Sequence, residues 1–338
     1  MGRRRSWLLV IQTALVAAMA LLALAGPDAD GQPLTMLIYA GVLVAFLAAS
    51  QDVVADAYRT DILPDAELGA GAAVFVNGYR VAMLLTGGGV LLLATRIGFR
   101  GAYLCMAGFM FVGLLVTCFA PDPPEHARPL TLRDAVVEPV HDFFRRFGWA
   151  GLAMLVFVVL FKLPDALAKA MTMPMLQDHA GFSKDQIAVV REWYGLAITL
   201  VGALAGGAAV ARAGLRRALW IFLVLQAASN LALTVQAVVG DDLATLFVVV
   251  GVENFCAGMV TAGFIAFLMS LCNRAFSATQ YALFTSLNYF AQTVGGAPTG
   301  FIVVETGYAT FFALTVLAAA PAMLLLWLLG DRVEAARA

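Results

Sequence analysis

This sequence is short of charge. Asp, Glu, Lys and Arg make up 13% of its 338 residues, about half the roughly 25% usual in a soluble domain. Hydrophobic residues make up 62% and the mean hydropathy is +0.88. A chain so composed dissolves in lipid rather than in water. A formal net charge of −1 offers no basic footprint, so nucleic acid is excluded as a partner. Cysteine is scarce too. Cys105, Cys118, Cys256 and Cys272 stand apart in apolar runs, none in a Cys-x-x-Cys pair, which argues against a thiolate metal site or a disulfide framework. The histidines, His126, His141 and His179, do not cluster, and no Gly-x-Ser-x-Gly nucleophile motif occurs. The sequence therefore predicts no metal, no cofactor and no catalytic residue.

What it has instead is long apolar runs. A spanning helix needs about 20 apolar residues. Ten stretches qualify: 7–25, 34–58, 70–95, 100–120, 149–176, 187–211, 217–239, 243–271, 279–303 and 309–329. The longest polar interval, 121–148, separates four runs from six. Its second half, Leu132 to Phe147, alternates apolar and charged residues at helical spacing, which predicts a helix on the membrane surface. Met1-Gly-Arg-Arg-Arg5, an apolar run and Ala23-Leu24-Ala25 also have the form of a signal peptide. The run is longer than the roughly 7–15 residues of a signal's core.

Orientation follows from Lys and Arg. With the amino terminus inside, Arg3, Arg4, Arg5, Arg59, Arg128, Arg133, Arg145, Arg146, Arg212, Arg216, Arg217, Arg274, Arg332 and Arg337 fall inside. Arg96, Arg100 and Lys184 fall outside. Both termini are expected on the cytoplasmic side.

Some ionisable groups lie within the runs, where insertion costs roughly 2.5–3.5 kcal/mol each. Such residues mark a pathway or a site. Gln51, Asp52, Asp56 and Arg59 are spaced for one helix face, and Asn77 and Arg80 for another. A carboxylate that alternates between a dry setting and a neighbouring Arg can take up and release a proton, the chemistry of a proton-coupled carrier. The alternative is a clasp, with Asp56, Arg59 and Asp61 bracing the cytoplasmic ends of helices two and three. Lys162, Asp165 and Lys169 share a face in the fifth run. Pro164 would break that helix and free carbonyls, and interhelix bracing is the other reading. Glu253 and Asn254 open a polar patch in the eighth run, and Asn288 and Gln292 pair at i,i+4 in the ninth. Amides suit sugar and N-acetyl groups, and they also glue helices together. Gly87, Gly88 and Gly89 read as a place of close helix packing or a bend.

Gly207-Ala-Ala-Val-Ala-Arg212-Ala-Gly214-Leu-Arg216-Arg217 resembles the major facilitator signature Gly-x-x-x-Asp-Arg-x-Gly-Arg-Arg/Lys, with Ala211 in place of the Asp and Leu215 in place of one Arg. Basic residues at a cytoplasmic turn explain it as well. Arg59, Arg212 and Arg216 are candidate gating residues of that face. Gly2-Arg3-Arg4-Arg5 resembles the tail of a first copy of the signature. Repeat symmetry then predicts two helices upstream of Met1, a true ten-helix protein being the alternative.

The stretch from Ser50 to Gly88 is more specific. Ser50-Gln-Asp-Val-Val-Ala-Asp-Ala-Tyr-Arg-Thr-Asp-Ile-Leu-Pro64, Gly69-Ala-Gly-Ala-Ala73, Gly78-Tyr-Arg80 and Gly87-Gly88 resemble the AmpG-type muropeptide permeases. Phe161-Lys-Leu-Pro-Asp165, Val252-Glu-Asn254, Gly258-Met259, Ala266 to Asn273 and Phe276 to Ala282 agree. The resemblance implies an all-α, polytopic, major-facilitator-type bundle of about ten spans around a central cavity. Residues 1–120 would form an incomplete amino-terminal half, 121–148 a cytoplasmic link and 149–338 the other half. It implies a permease, not an enzyme, of the bacterial inner membrane. Anhydro-muropeptides would enter by proton symport for peptidoglycan recycling, through a monomer embedded in the bilayer. The spare positive charge at Lys162 and Lys169 would then hold muropeptide carboxylates. Another anionic solute such as acetyl-coenzyme A, a non-transporting remnant, and an embedded enzyme using paired carboxylates are the rival readings. The chain departs from the family pattern at Pro164, where Gly is usual, and at Arg191-Glu-Trp-Tyr-Gly195, where an Asn-Lys-rich start is usual.

Overall fold

The computed structural model describes residues 2–25, 34–124 and 131–330. The expectations for His126, Arg128, Arg332, Arg337 and the two chain ends lie outside these. Among the described residues all regular structure is helical. The helices are α1 (Arg3–Leu24), α2 (Leu34–Ile62), α3 (Leu68–Leu84), α4 (Val90–Phe119), α5 (Leu132–Phe147), α6 (Trp149–Phe161), α7 (Leu163–Pro174), α8 (Lys184–Ile187), α9 (Gly195–Ala213), α10 (Leu215–Val239), α11 (Leu243–Leu271), α12 (Ser277–Gly296), α13 (Thr299–Thr306), α14 (Tyr308–Leu317) and α15 (Ala320–Leu329). Within lipid only a helix or a closed barrel satisfies every backbone group internally, and apolar runs without strand periodicity select the helix.

Nine spans among the described residues are long and apolar enough to cross a membrane, against the ten expected. The chain is a multi-pass membrane protein. The difference is the stretch holding α12 and α13. It is helical and interrupted at Ala297-Pro298, but Gln280, Asn288, Gln292 and its Ser and Thr residues lower its hydropathy. The third and fourth expected runs divide inside α4 at Gly98, whose φ of 72° and ψ of 168° break the helix. Gly214 has nearly the same geometry, φ 80° and ψ 160°, between α9 and α10. A side chain at either position would clash in this left-handed backbone, so only glycine makes the turn without strain.

Two compact units are resolved. One comprises Met1–Leu63, Gly78–Thr131 and Arg274–Ala282. In it α1 buries Leu8, Ile11, Leu15 and Ala18, and α4 buries Ala102, Met106 and Ala107. The other comprises Pro64–Asn77, Leu132–Asn273 and Leu283–Ala338. Its central helix is α11, buried along most of its length. α9 lies against it backbone to backbone. A Cβ built at Gly202 would sit 2.2 Å from the Phe255 carbonyl oxygen, and one at Gly258 2.3 Å from that of Thr199. Small residues permit this approach, which in lipid must come from packing rather than from hydrophobic expulsion. One end of the unit closes over a core that includes Met175, Leu176, Ile187, Val190, Leu246 and Phe312.

Gly87 and Gly89 do not pack closely. A Cβ at Gly87 would meet nothing within 4 Å, and one at Gly89 only the carbonyl of Leu84 at 3.7 Å. They belong instead to a π-helical turn over Leu85–Gly89. Further π turns occupy Met175–His179 and Ala188–Tyr194.

The surface-type helix α5 presents three faces. Asp142 is buried, accepting from Arg146 Nε at 3.0 Å and from Asn273 Nδ2 at 3.2 Å. Arg146 Nη2 donates to the Leu271 carbonyl at 3.0 Å. Phe143 packs on Phe284 and Phe147. A second face exposes Val136, Val137, Val140 and Phe144, and the third carries His141 and Arg145 outward.

Candidate functional site

The fifth spanning segment breaks at Lys162, where φ is −97° and ψ −4°. α7 restarts at Leu163 with Pro164 in its first turn, where a missing N–H costs nothing. This break sets the cluster that the spacing predicted. Asp165 Oδ2 accepts from Lys169 Nζ at 3.0 Å and faces Lys162 Nζ at 3.5 Å. Lys162 Nζ also donates to Thr261 Oγ1 on α11 at 3.1 Å. Asp165 and Lys162 are buried, whereas the Lys169 side chain is 44% exposed. Two ammonium groups thus share one carboxylate, leaving a surplus positive charge reachable through Lys169. Behind it, Asn230 of α10 donates to the Pro164 carbonyl at 3.4 Å and to Thr315 Oγ1 at 2.9 Å.

On α11, Glu253 is buried and Arg191 Nη1 reaches its Oε2 at 3.4 Å. Asn254 points elsewhere. Its Nδ2 donates to the Val250 carbonyl at 2.9 Å, and its Oδ1 accepts from Thr199 Oγ1 at 3.0 Å. It joins α9 to α11. Asn288 is buried with its Oδ1 unpartnered, as is the Oδ1 of Asn77. Gln292 is half-buried.

In the first unit the end of α2 gathers a second set. Arg59 Nη2 donates to Asp56 Oδ1 at 2.9 Å and to the Tyr281 hydroxyl at 2.8 Å. Arg4 bridges Asp61 at 3.0 Å and Ser277 Oγ at 2.9 Å. Arg274 donates to the Leu63 carbonyl at 3.2 Å. Beyond α2 itself, these partners come from α1 and from residues 274–282, whose polar ends meet α2 there. Asp52 is exposed and Arg80 half-buried, and among the described residues no ion pair joins them. Gln51 is half-buried with its Oε1 unpartnered. Arg212 is exposed and Arg216 half-buried beside the Gly214 turn. Among the described residues no group of three or more His, Cys, Asp or Glu gathers where a metal could sit.

Arg191, Arg4, Thr261 and Tyr281 were not legible as site residues. The one available signal was Arg191, an unexplained cation at the stretch where the family pattern is broken.

Residues 1–183 match the Major Facilitator Superfamily. The anhydromuropeptide permease of Escherichia coli (strain K12) is 41% identical over 339 residues, covering 99% of this chain and 68% of that protein. Among solved structures, the human organic anion transporter MFSD10 superposes with a TM-score of 0.73 at 15% identity, over 96% of this chain and 77% of that one. The Escherichia coli fucose:proton symporter superposes with a TM-score of 0.72 at 11% identity, over 97% and 84%. These distant likenesses speak for the fold alone.

Proposed function

The chain belongs to the anhydromuropeptide permeases of the major facilitator superfamily, and from that membership we propose that it imports anhydro-muropeptides by proton symport for peptidoglycan recycling. The observation that carries this reading is the 41% identity, sustained along 99% of the chain. The cluster in the fifth segment supports it. Peptide carboxylates need a cation inside the spans, and Lys162 and Lys169 around one Asp165 leave one positive charge over. We place the protein in the bacterial inner membrane as a monomer with both termini cytoplasmic. Residues 1–120 and 149–338 serve as its two transmembrane portions and 121–148 as the link. Asp52, Asp56, Arg80, Lys162, Asp165 and Glu253 are its proton or cargo residues.

The test is uptake of labelled anhydro-muropeptide into membrane vesicles holding the chain. Uptake that collapses with a protonophore, and an apparent KM raised about tenfold or more by Lys162→Met at unchanged membrane level, supports the reading. Uptake of acetyl-coenzyme A but not of muropeptide overturns it.

A further inference from the structure

Arg191 and Glu253 are 62 residues apart in the sequence and meet inside the second unit. Their contact is unlike that of a bracing ion pair. Charge-assisted bonds usually close to about 2.7–2.9 Å and are often bidentate for arginine. Here one nitrogen approaches one oxygen at 3.4 Å. The two side chains differ in access, the arginine 19% exposed and the glutamate 6%. Arg191 stands within the π turn Ala188–Tyr194, and such turns insert one residue into a helix and frequently mark functional sites. Glu253 and Thr261 are eight residues apart on α11, hence on one face and about 12 Å apart along the axis. Thr261 is the residue that holds Lys162. One helix face thus carries two cation sites, each occupied by a carboxylate of the protein.

Among the described residues of the second unit, the other polar groups near Glu253 bring no further cation. The 188–194 turn brings the Tyr194 hydroxyl, which a Cβ at Gly251 would meet at 2.6 Å. Glu192 is exposed, α11 itself adds the buried Cys256, and α9 brings the uncharged Thr199. The buried polar residues of α10 carry no charge. Among the described residues, Arg191 is the cation that answers Glu253.

We propose that Arg191 is a binding residue for a cargo carboxylate and that Glu253 is the carboxylate that it exchanges for the cargo's. A proton taken by Glu253 Oε2 makes it a neutral acid and frees the guanidinium, which then pairs with the incoming carboxylate. Loss of that proton lets Glu253 reclaim Arg191 and expel the cargo. One proton and one carboxylate enter and leave together, so the empty and the loaded site carry the same charge. The proposal rests on the transport reading above and assigns its coupling step.

The experiment compares Glu253→Gln, Arg191→Gln and Arg191→Lys with the unmodified chain in vesicles. The probes are labelled anhydro-muropeptide and the same molecule with its carboxylates amidated. Glu253→Gln, which mimics the protonated acid, should lower pH-gradient-driven accumulation about tenfold or more relative to its own exchange of internal for external cargo. Arg191→Gln should raise KM about tenfold or more for the carboxylated probe only, and Arg191→Lys should recover part of it. Gradient-driven accumulation by Glu253→Gln, or an equal effect of Arg191→Gln on both probes, overturns the proposal and leaves the permease reading standing. No exchange or uptake of either probe by the unmodified chain brings down both. If Glu253→Gln does not reach the membrane, the ratio of the two probes' KM values for Arg191→Lys and Arg191→Gln decides.

Discussion

Replacing Asp165 by Asn tests the account of the Lys162 cluster. The change keeps the shape and removes the charge that two lysines share. At an effective dielectric of about 20, opposite charges 3.5 Å apart attract by about 5 kcal/mol. Desolvation offsets much of that in the intact pair. Removing one partner of a buried pair leaves the other orphaned, and that costs about 3–5 kcal/mol. Lys162 would be the orphan, since it is buried and its hydrogen bond to the neutral hydroxyl of Thr261 supplies no countercharge. Lys169, nearly half exposed, can turn to water and contributes little. Asp165→Asn should therefore destabilise the protein by about 3–5 kcal/mol. Adding Lys162→Met should restore all but about 1 kcal/mol of this, because charge and orphan then leave together. The measurement is unfolding in detergent for both single variants and the double, read as a coupling energy of at least about 2–4 kcal/mol. If the double variant is as unstable as the sum of the singles, the lysine is not held by this carboxylate.

Asp52→Asn should abolish proton-driven uptake in vesicles without reducing the amount of protein in the membrane, since Asp52 is exposed and, among the described residues, has no ion-pair partner to lose; unaltered accumulation would remove it from the proton path. Gly258→Leu should lower thermal stability in detergent by about 1–3 kcal/mol or more, because its Cβ would press on the Thr199 carbonyl of α9. Gly87→Ala, with nothing within 4 Å, should leave stability nearly unchanged in the same assay. At the start of α11 hydrogen bonds from Thr245 hold the Asp242 carboxyl below its ordinary value of 3.8. Its support for the helix is thus full above that value and lost as pH falls through the lower, folded one. Asp242→Asn should erase this pH dependence of amide protection at Thr245, while an unchanged profile would assign it elsewhere.

The spans were legible because lipid demands about 20 apolar residues in a row, and the chain obliges. The Lys162–Asp165–Lys169 cluster was legible for a local reason: helical spacing alone puts the three on one face. Contacts between distant residues were not. Nothing near Glu253 in the sequence names Arg191, and nothing near Arg59 names Tyr281, 222 residues away. The triple glycine left two readings open because glycine permits both a close approach and a distorted turn, and only the neighbouring backbone decides which. The close approach lies at Gly202 and Gly258, which the sequence does not distinguish from other glycines of apolar runs.

The backbone contact between α9 and α11 has a mechanical consequence. Side chains that interdigitate can slide or swap rotamers, but at Gly202 and Gly258 there is no such layer to deform. The two helices form a single stiff beam, further pinned by Thr199 and Asn254. Sliding or tilting one against the other would drive main chain into main chain. Any change in the distance between Arg191 and Glu253 is therefore confined to the few residues of the π turn. A turn with one residue too many can tighten into an α-helix by passing that residue along, shifting its neighbours by about 1.5 Å and 100°. The beam supplies the fixed frame and the turn the travel.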